Sequence, residues 1–165
     1  MSVLLAELYR HNLWANLRLI DACAGLTDAQ LDATVHGTAG SIRGTLLHIA
    51  GAEQRYVHLL GGSEPTHRVH ERDGWPGVEA LRAGLRESGQ ALIGIAETAD
   101  PARVLSTTYQ DRVETLPIST VLIQAINHAT EHRSQVATIL TQQGVQPPDM
   151  SGWSYGEPRS AAGTG

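Results

Sequence analysis

The stretch "NHATEHRSQ", residues 127–135, sets His128 and His132 four residues apart inside an apolar-periodic segment. Residues at i and i+4 are neighbours on one helix face, so both imidazoles can offer a nitrogen to one cation. A buried imidazole needs partners for both ring nitrogens, and a metal ion supplies one. HxxxH is a short pattern, however, and two hydrogen-bonded core histidines or a half-exposed polar edge fit it as well. "HATEH" also matches H-x-x-E-H, the inverted zinc-protease motif, with Glu131 as general base. That motif demands a third ligand well downstream on a larger fold. Only Asp149 and Glu157 follow His132 as carboxylates. Glu131 is retained as a secondary candidate for proton transfer, since its helical angle puts it beside the histidine face.

A third ligand is better sought upstream. His48 lies in "SIRGTLLHIAGAEQRY". At about 100° per residue it falls off the centre of the apolar stripe, on the side of Ser41, Thr45 and Ala52. That placement suits a side of small residues facing a cavity shared with the helix of His128 and His132. Three histidines with one coordination position left open are the pattern of a catalytic rather than a structural site. The other histidines read differently. His58 points to the polar side of its helix, His67 and His70 sit in an exposed loop, and His11 and His36 have no partner spacing. Glu53 stands in the middle of an apolar stripe, where it either pairs with a buried Arg or supports a metal ligand; the first is favoured, because nearly buried carboxylates are usually paired. Asn12 and Asn16 share a helix face at i, i+4, with Trp14 between them. They fit helix–helix hydrogen bonds or a pocket lining.

The elements that must carry these residues are helical. Apolar residues recur at threes and fours over about 2–24, 41–60, 77–99 and 117–143, with glycine stops after the first, second and fourth. Pro76 suits a first helical position ahead of the third. Its Gly84, Gly89 and Gly94 either weaken it or permit close packing. Thr27 to Gln30 reads as a capping box on a short helical piece. Residues 103–116 alternate around a polar Gln110-Asp111 turn, which predicts a small β-hairpin before the last helix. The expected fold is an all-α four-helix bundle spanning residues 1–155, with a flexible tail over 156–165. Bundle cores are common places for metal sites.

Composition narrows the function. The chain has 165 residues, enough for one domain with a sizeable core. Its net charge of -5 argues against a nucleic-acid partner. All 12 basic residues are Arg, so Schiff-base and P-loop lysine chemistry are excluded. There is no Phe, and Cys23 is the single cysteine, which excludes an internal disulfide and a Cys-rich metal site. The N-terminal segment lacks a basic n-region and a cleavage site, and no run approaches the roughly 18 apolar residues of a membrane span. A cytoplasmic protein is expected.

Four stretches, "YRHNLWANLRLIDAC", "SIRGTLLHIAGAEQRYVHLL", "INHATEHRSQVATIL" and "PPDMSGWSYGE", together resemble the DinB/YfiT-like superfamily of metalloenzymes. The resemblance spans nearly the whole chain in the right order. It implies an up-down-down-up bundle and a homodimer. It also implies a divalent metal, commonly zinc or nickel, on His48, His128 and His132, with water completing the shell. Relatives include S-transferases and isomerases that use low-molecular-weight thiols, and amide-type hydrolysis has been suggested. The expected activity is therefore metal-dependent activation of water or a thiol toward a small-molecule substrate. Asn12, Asn16 and Trp14 are candidates for its pocket. The alternative is a non-catalytic bundle stabilised by metal or binding a small ligand.

Overall fold

The computed structural model describes residues 3–109 and 112–156. The Gln110-Asp111 turn, Glu157 and the rest of the tail lie outside the described residues. The chain runs α1 (Val3–Cys23), α2 (Asp28–Leu31), α3 (Ile42–Leu59), a 3-10 turn (Glu71–Asp73), α4 (Val78–Thr98), β1 (Val104–Tyr109), β2 (Arg112–Pro117), α5 (Ile118–Gln142) and α6 (Gly152–Gly156). No helix among the described residues is long and apolar enough to cross a membrane.

Local chemistry sets the boundaries. Thr27 accepts from the Gln30 amide while Gln30 reaches back to the Thr27 amide, so the capping box forms as expected. Ser41 caps α3 by accepting from the Gly44 amide at 3.1 Å. The start of α4 differs from expectation. Pro76 is not in the helix; Gly77 is the cap, at φ 91°, and the helix begins at Val78. Gly77 adopts a left-handed backbone that the other residues avoid, so the chain turns there and not at the proline. The strands β1 and β2 pair antiparallel from Val104↔Pro117 to Tyr109↔Arg112, and β2 leads directly into α5.

The four long helices form a ring in which α1 packs on α4 and α5, and α3 packs on the same two. The glycines of α4 fall into two classes. A Cβ at Gly89 would lie 2.6 Å from Leu13 Cδ1, and one at Gly84 2.9 Å from Val69 Cγ2, so both permit close packing. Gly94 faces open space.

The core divides into two aliphatic clusters. One holds Leu19, Ile42, Leu46, Leu85, Val136 and Ile139. The other holds Tyr9, Leu13, Leu60, Leu92, Ile118 and Leu122. Each long helix also buries polar side chains near the junction of these clusters: Asn12 and Asn16 on α1, Glu53 on α3, Ser88 on α4, Arg133 on α5. They form one node. Glu53 Oε1 accepts from Asn12 and Asn16 Nδ2 at 2.8 and 2.9 Å, and Oε2 accepts from Ser88 Oγ at 3.0 Å. Arg133 Nη1 donates to both Asn Oδ1 atoms at 2.6 Å, and Nη2 donates to Thr130 at 2.8 Å. The buried Arg expected for Glu53 is thus Arg133, but two asparagines stand between the charges. An amide offers a donor and an acceptor, so each Asn satisfies both ions at once. Asn12 and Asn16 belong to this node, which accounts for their shared face.

Candidate metal centre

The α3–α5 contact brings the three histidines together. His48 Nε2 lies 3.0 Å from His128 Nε2, and one nitrogen from each of His48, His128 and His132 falls within 4.8 Å of the other two. The rings stand at steep mutual angles, 89° for His48 with His132 and 77° for His128 with His132. With His48 and His128 tilted at 54°, the three rings are not stacked on one another. Tetrahedral zinc at about 2.0–2.1 Å from each nitrogen needs donors roughly 3.4 Å apart, which lies within the observed spread.

The outer nitrogens fix which edge faces inward. His48 Nδ1 lies 3.0 Å from Glu71 Oε2, and His132 Nδ1 lies 2.8 Å from Gln135 Oε1. A carboxylate and an amide oxygen only accept, so both Nδ1 atoms carry the proton and each Nε2 keeps a free lone pair for a cation. Burial pushes the His128 imidazole down to about 4, with His132, His48 and Arg55 adding to the effect. It is therefore neutral at ordinary pH, as a ligand must be. The donor set fits a borderline cation such as zinc or nickel. Among the described residues no carboxylate or thiol joins the three, and the His48 side chain keeps 35% of its exposure, so the centre opens to solvent.

Glu71 is delivered from the connection between α3 and α4. Gln54 donates to the His67 carbonyl at 2.7 Å and accepts from the Val69 amide at 2.9 Å. Glu87 accepts from the Thr66 and His67 amides at 2.7 and 2.9 Å, which hold its carboxyl down at about 2. Val69 is buried between these anchors. Glu71 also accepts from Arg55 at 2.7 Å. Burial works to raise its pKa, but the hydrogen bonds from His48 and Arg55 outweigh that and hold it below the ordinary carboxylate range.

A family model described as the DinB family matches residues 1–161. The chain belongs to the DinB family. The crystal structure of a DinB-like protein from Bacillus cereus ATCC 10987 is similar in fold, with a TM-score of 0.69 at 17% identity, covering 88% of this chain and 94% of that one. No curated protein matches the sequence.

In this DinB chain the residues singled out from sequence separate clearly. His48, His128 and His132 converge, whereas Glu131 lies exposed on the flank of α5. His58 and His67 are exposed and pair with Glu64 and Glu87. His11, which had no partner by spacing, bonds the Met150 carbonyl at 2.9 Å and packs beside Trp14 and Tyr155. Trp153 is 89% exposed. Sequence reasoning did not reach Glu71 or Gln135. Gln135 had a signal, its i+3 spacing from His132. Glu71, 23 positions from His48 in an irregular segment, had none.

Proposed function

We propose that this protein is a metal-dependent enzyme in which His48, His128 and His132 hold one divalent ion, zinc or nickel, and that the reaction is hydrolysis or thiol transfer on a small molecule. The observation that carries the reading is the convergence of one ring nitrogen from each of three histidines, two of which, His48 and His132, have Nδ1 tied to an oxygen acceptor. A divalent ion in such a site lowers the pKa of a coordinated water or thiol toward neutrality. Three neutral imidazoles leave the ion's charge uncompensated, which favours an anionic nucleophile. The solvent-facing edge formed by His48 and His128 favours an enzyme over a closed structural site.

Elemental analysis of protein purified without chelator, and of protein soaked in zinc or nickel, tests the first step. About one divalent ion per chain is expected, and His128→Ala and His132→Ala should each lose it. If neither the purified nor the soaked wild type retains an ion, the reading fails. A parallel screen of amide and ester hydrolysis against S-transfer from low-molecular-weight thiols, each with added zinc or nickel, separates the two reaction classes.

A further inference from the structure

Glu71 reaches His48 by lying across α3, and it can do so because residue 51 has no side chain. Gly51 is buried in the interior of α3, one turn after His48 and one turn before Arg55. A glycine there costs helix stability, about 1 kcal/mol relative to Ala. Its backbone is helical, so no left-handed conformation explains it. The space does. A Cβ at position 51 would stand 3.2 Å from Glu71 Oε1, 3.3 Å from Arg55 Nη1 and 3.5 Å from Glu71 Cγ. The carboxylate and the guanidinium fill the volume that a side chain would take.

From this geometry we infer that Gly51 is a saddle for Glu71, and that Glu71, clamped by Arg55, is the positioning residue that holds His48 with Nε2 turned to the three-histidine centre. The pair is not a simple surface ion pair. Arg55 is 60% exposed, and an exposed pair of that kind contributes little to stability. Its two bonds divide the labour instead: Arg55 takes Oε1 at 2.7 Å, leaving Oε2 for His48 Nδ1 at 3.0 Å. Without the clamp the carboxylate rotates freely. Without the saddle it is lifted off the helix. Either loss frees the imidazole to exchange its tautomer, and the Nδ1–H form is the one that offers Nε2 to a cation. Outer partners of this type typically change metal affinity by 10- to 100-fold. The consequence for metal rests on the function proposed above; the effect on the imidazole does not.

The test combines Glu71→Ala, Gly51→Ala and Gly51→Leu with two readouts. In metal-free protein, long-range nitrogen–proton NMR reports the His48 tautomer. The wild type should be the Nδ1–H form, and Glu71→Ala and Gly51→Leu should both move to a mixture. Gly51→Ala should move it less, since a single methyl displaces the carboxylate by only a few tenths of an ångström. Zinc titration of the same proteins should show a loss of about 10- to 100-fold for Glu71→Ala and Gly51→Leu. Gly51→Ala should keep or raise the metal-free melting temperature, which separates positioning from general destabilisation. If Glu71→Ala and Gly51→Leu leave both the tautomer and the zinc affinity at wild-type values, the inference is overturned. If the tautomer responds while the wild type binds no zinc, the positioning role stands and the proposed metal function falls.

Discussion

Replacing Arg133 with Met tests the polar node most directly. The substitution keeps an unbranched side chain of similar length and removes the cation. The structure sets the expected size. Arg133 donates to Asn12 and Asn16 at 2.6 Å and to Thr130 at 2.8 Å, and it is the positive charge nearest a wholly buried Glu53. Breaking a buried charge pair from one side costs about 3–5 kcal/mol, because the remaining charge stays buried without compensation. For a chain of this length each kcal/mol lowers the melting temperature by about 2–4 °C, so a loss of roughly 6–20 °C is expected. Removing both charges should cost less than the sum. In Glu53→Leu/Arg133→Met no ion is left stranded, although the asparagine amides still lack partners. A coupling of about 2–3 kcal/mol is expected, within the range for residues in one network. Urea unfolding followed by far-ultraviolet circular dichroism, at pH 8 with chelator present, measures all four corners of the cycle. Single costs that add within about 0.5 kcal/mol would show that the node is a set of independent hydrogen bonds. An Arg133→Met cost below about 1 kcal/mol would show that water reaches the site and the burial argument is wrong.

The same node carries a pH signature. Burial pushes the Glu53 carboxyl up from 4.5 to about 7, against the opposing pull of Ser88, Arg133, Asn12 and Asn16. The folded state then binds more protons than the unfolded state between those values, so stability from this group is full below pH 4.5 and is lost as pH rises through 7. The stability of wild type minus that of Glu53→Gln should therefore fall across that window and level off above it, as read from urea midpoints; a flat difference curve would contradict it. On α4, Gly94→Ala should stabilise by about 1 kcal/mol, since it gains helix propensity in open space. Gly89→Ala should destabilise by about 1–3 kcal/mol, because its Cβ meets the Leu13 side chain at 2.6 Å. Thermal melts of the two variants side by side decide this, and equal shifts would refute the close-packing reading.

Much of the fold was legible because helices write themselves locally. The spacing of Leu5, Tyr9 and Leu13 on α1, and of Val121, Leu122, Ala125 and Val136 on α5, depends only on the 3.6-residue repeat. The Thr27 capping box and the β-branched hairpin are local in the same sense. His128 and His132 shared a face by arithmetic alone, and His48 was placed by the small residues beside it. The features that sequence did not reveal depend on tertiary approach. Nothing near Glu71 announces that it will cross α3 to meet a histidine, because Gln54 and Glu87 first have to fix the intervening loop. The α3 stripe exposed Glu53 as an anomaly but could not name Arg133, 80 positions away. Glycines 84 and 89 looked alike in sequence to Gly94, and only the neighbours packed against them tell them apart.

The node also bears on which bundle this sequence can form. A core of Leu, Ile, Val and Ala, with no Phe among 165 residues, offers few distinctive shapes. Sliding one helix by a turn, about 5.4 Å, would exchange one aliphatic contact for a similar one. It would also carry Arg133 or Glu53 away from the asparagines and into hydrocarbon. The penalty for that is several kcal/mol, while the aliphatic clusters above and below would scarcely register the change. Five polar side chains, at least one from each long helix, thus act as an alignment key at mid-height. Because the histidines on α3 and α5 meet only when that key is engaged, selecting the register and assembling the centre are one event.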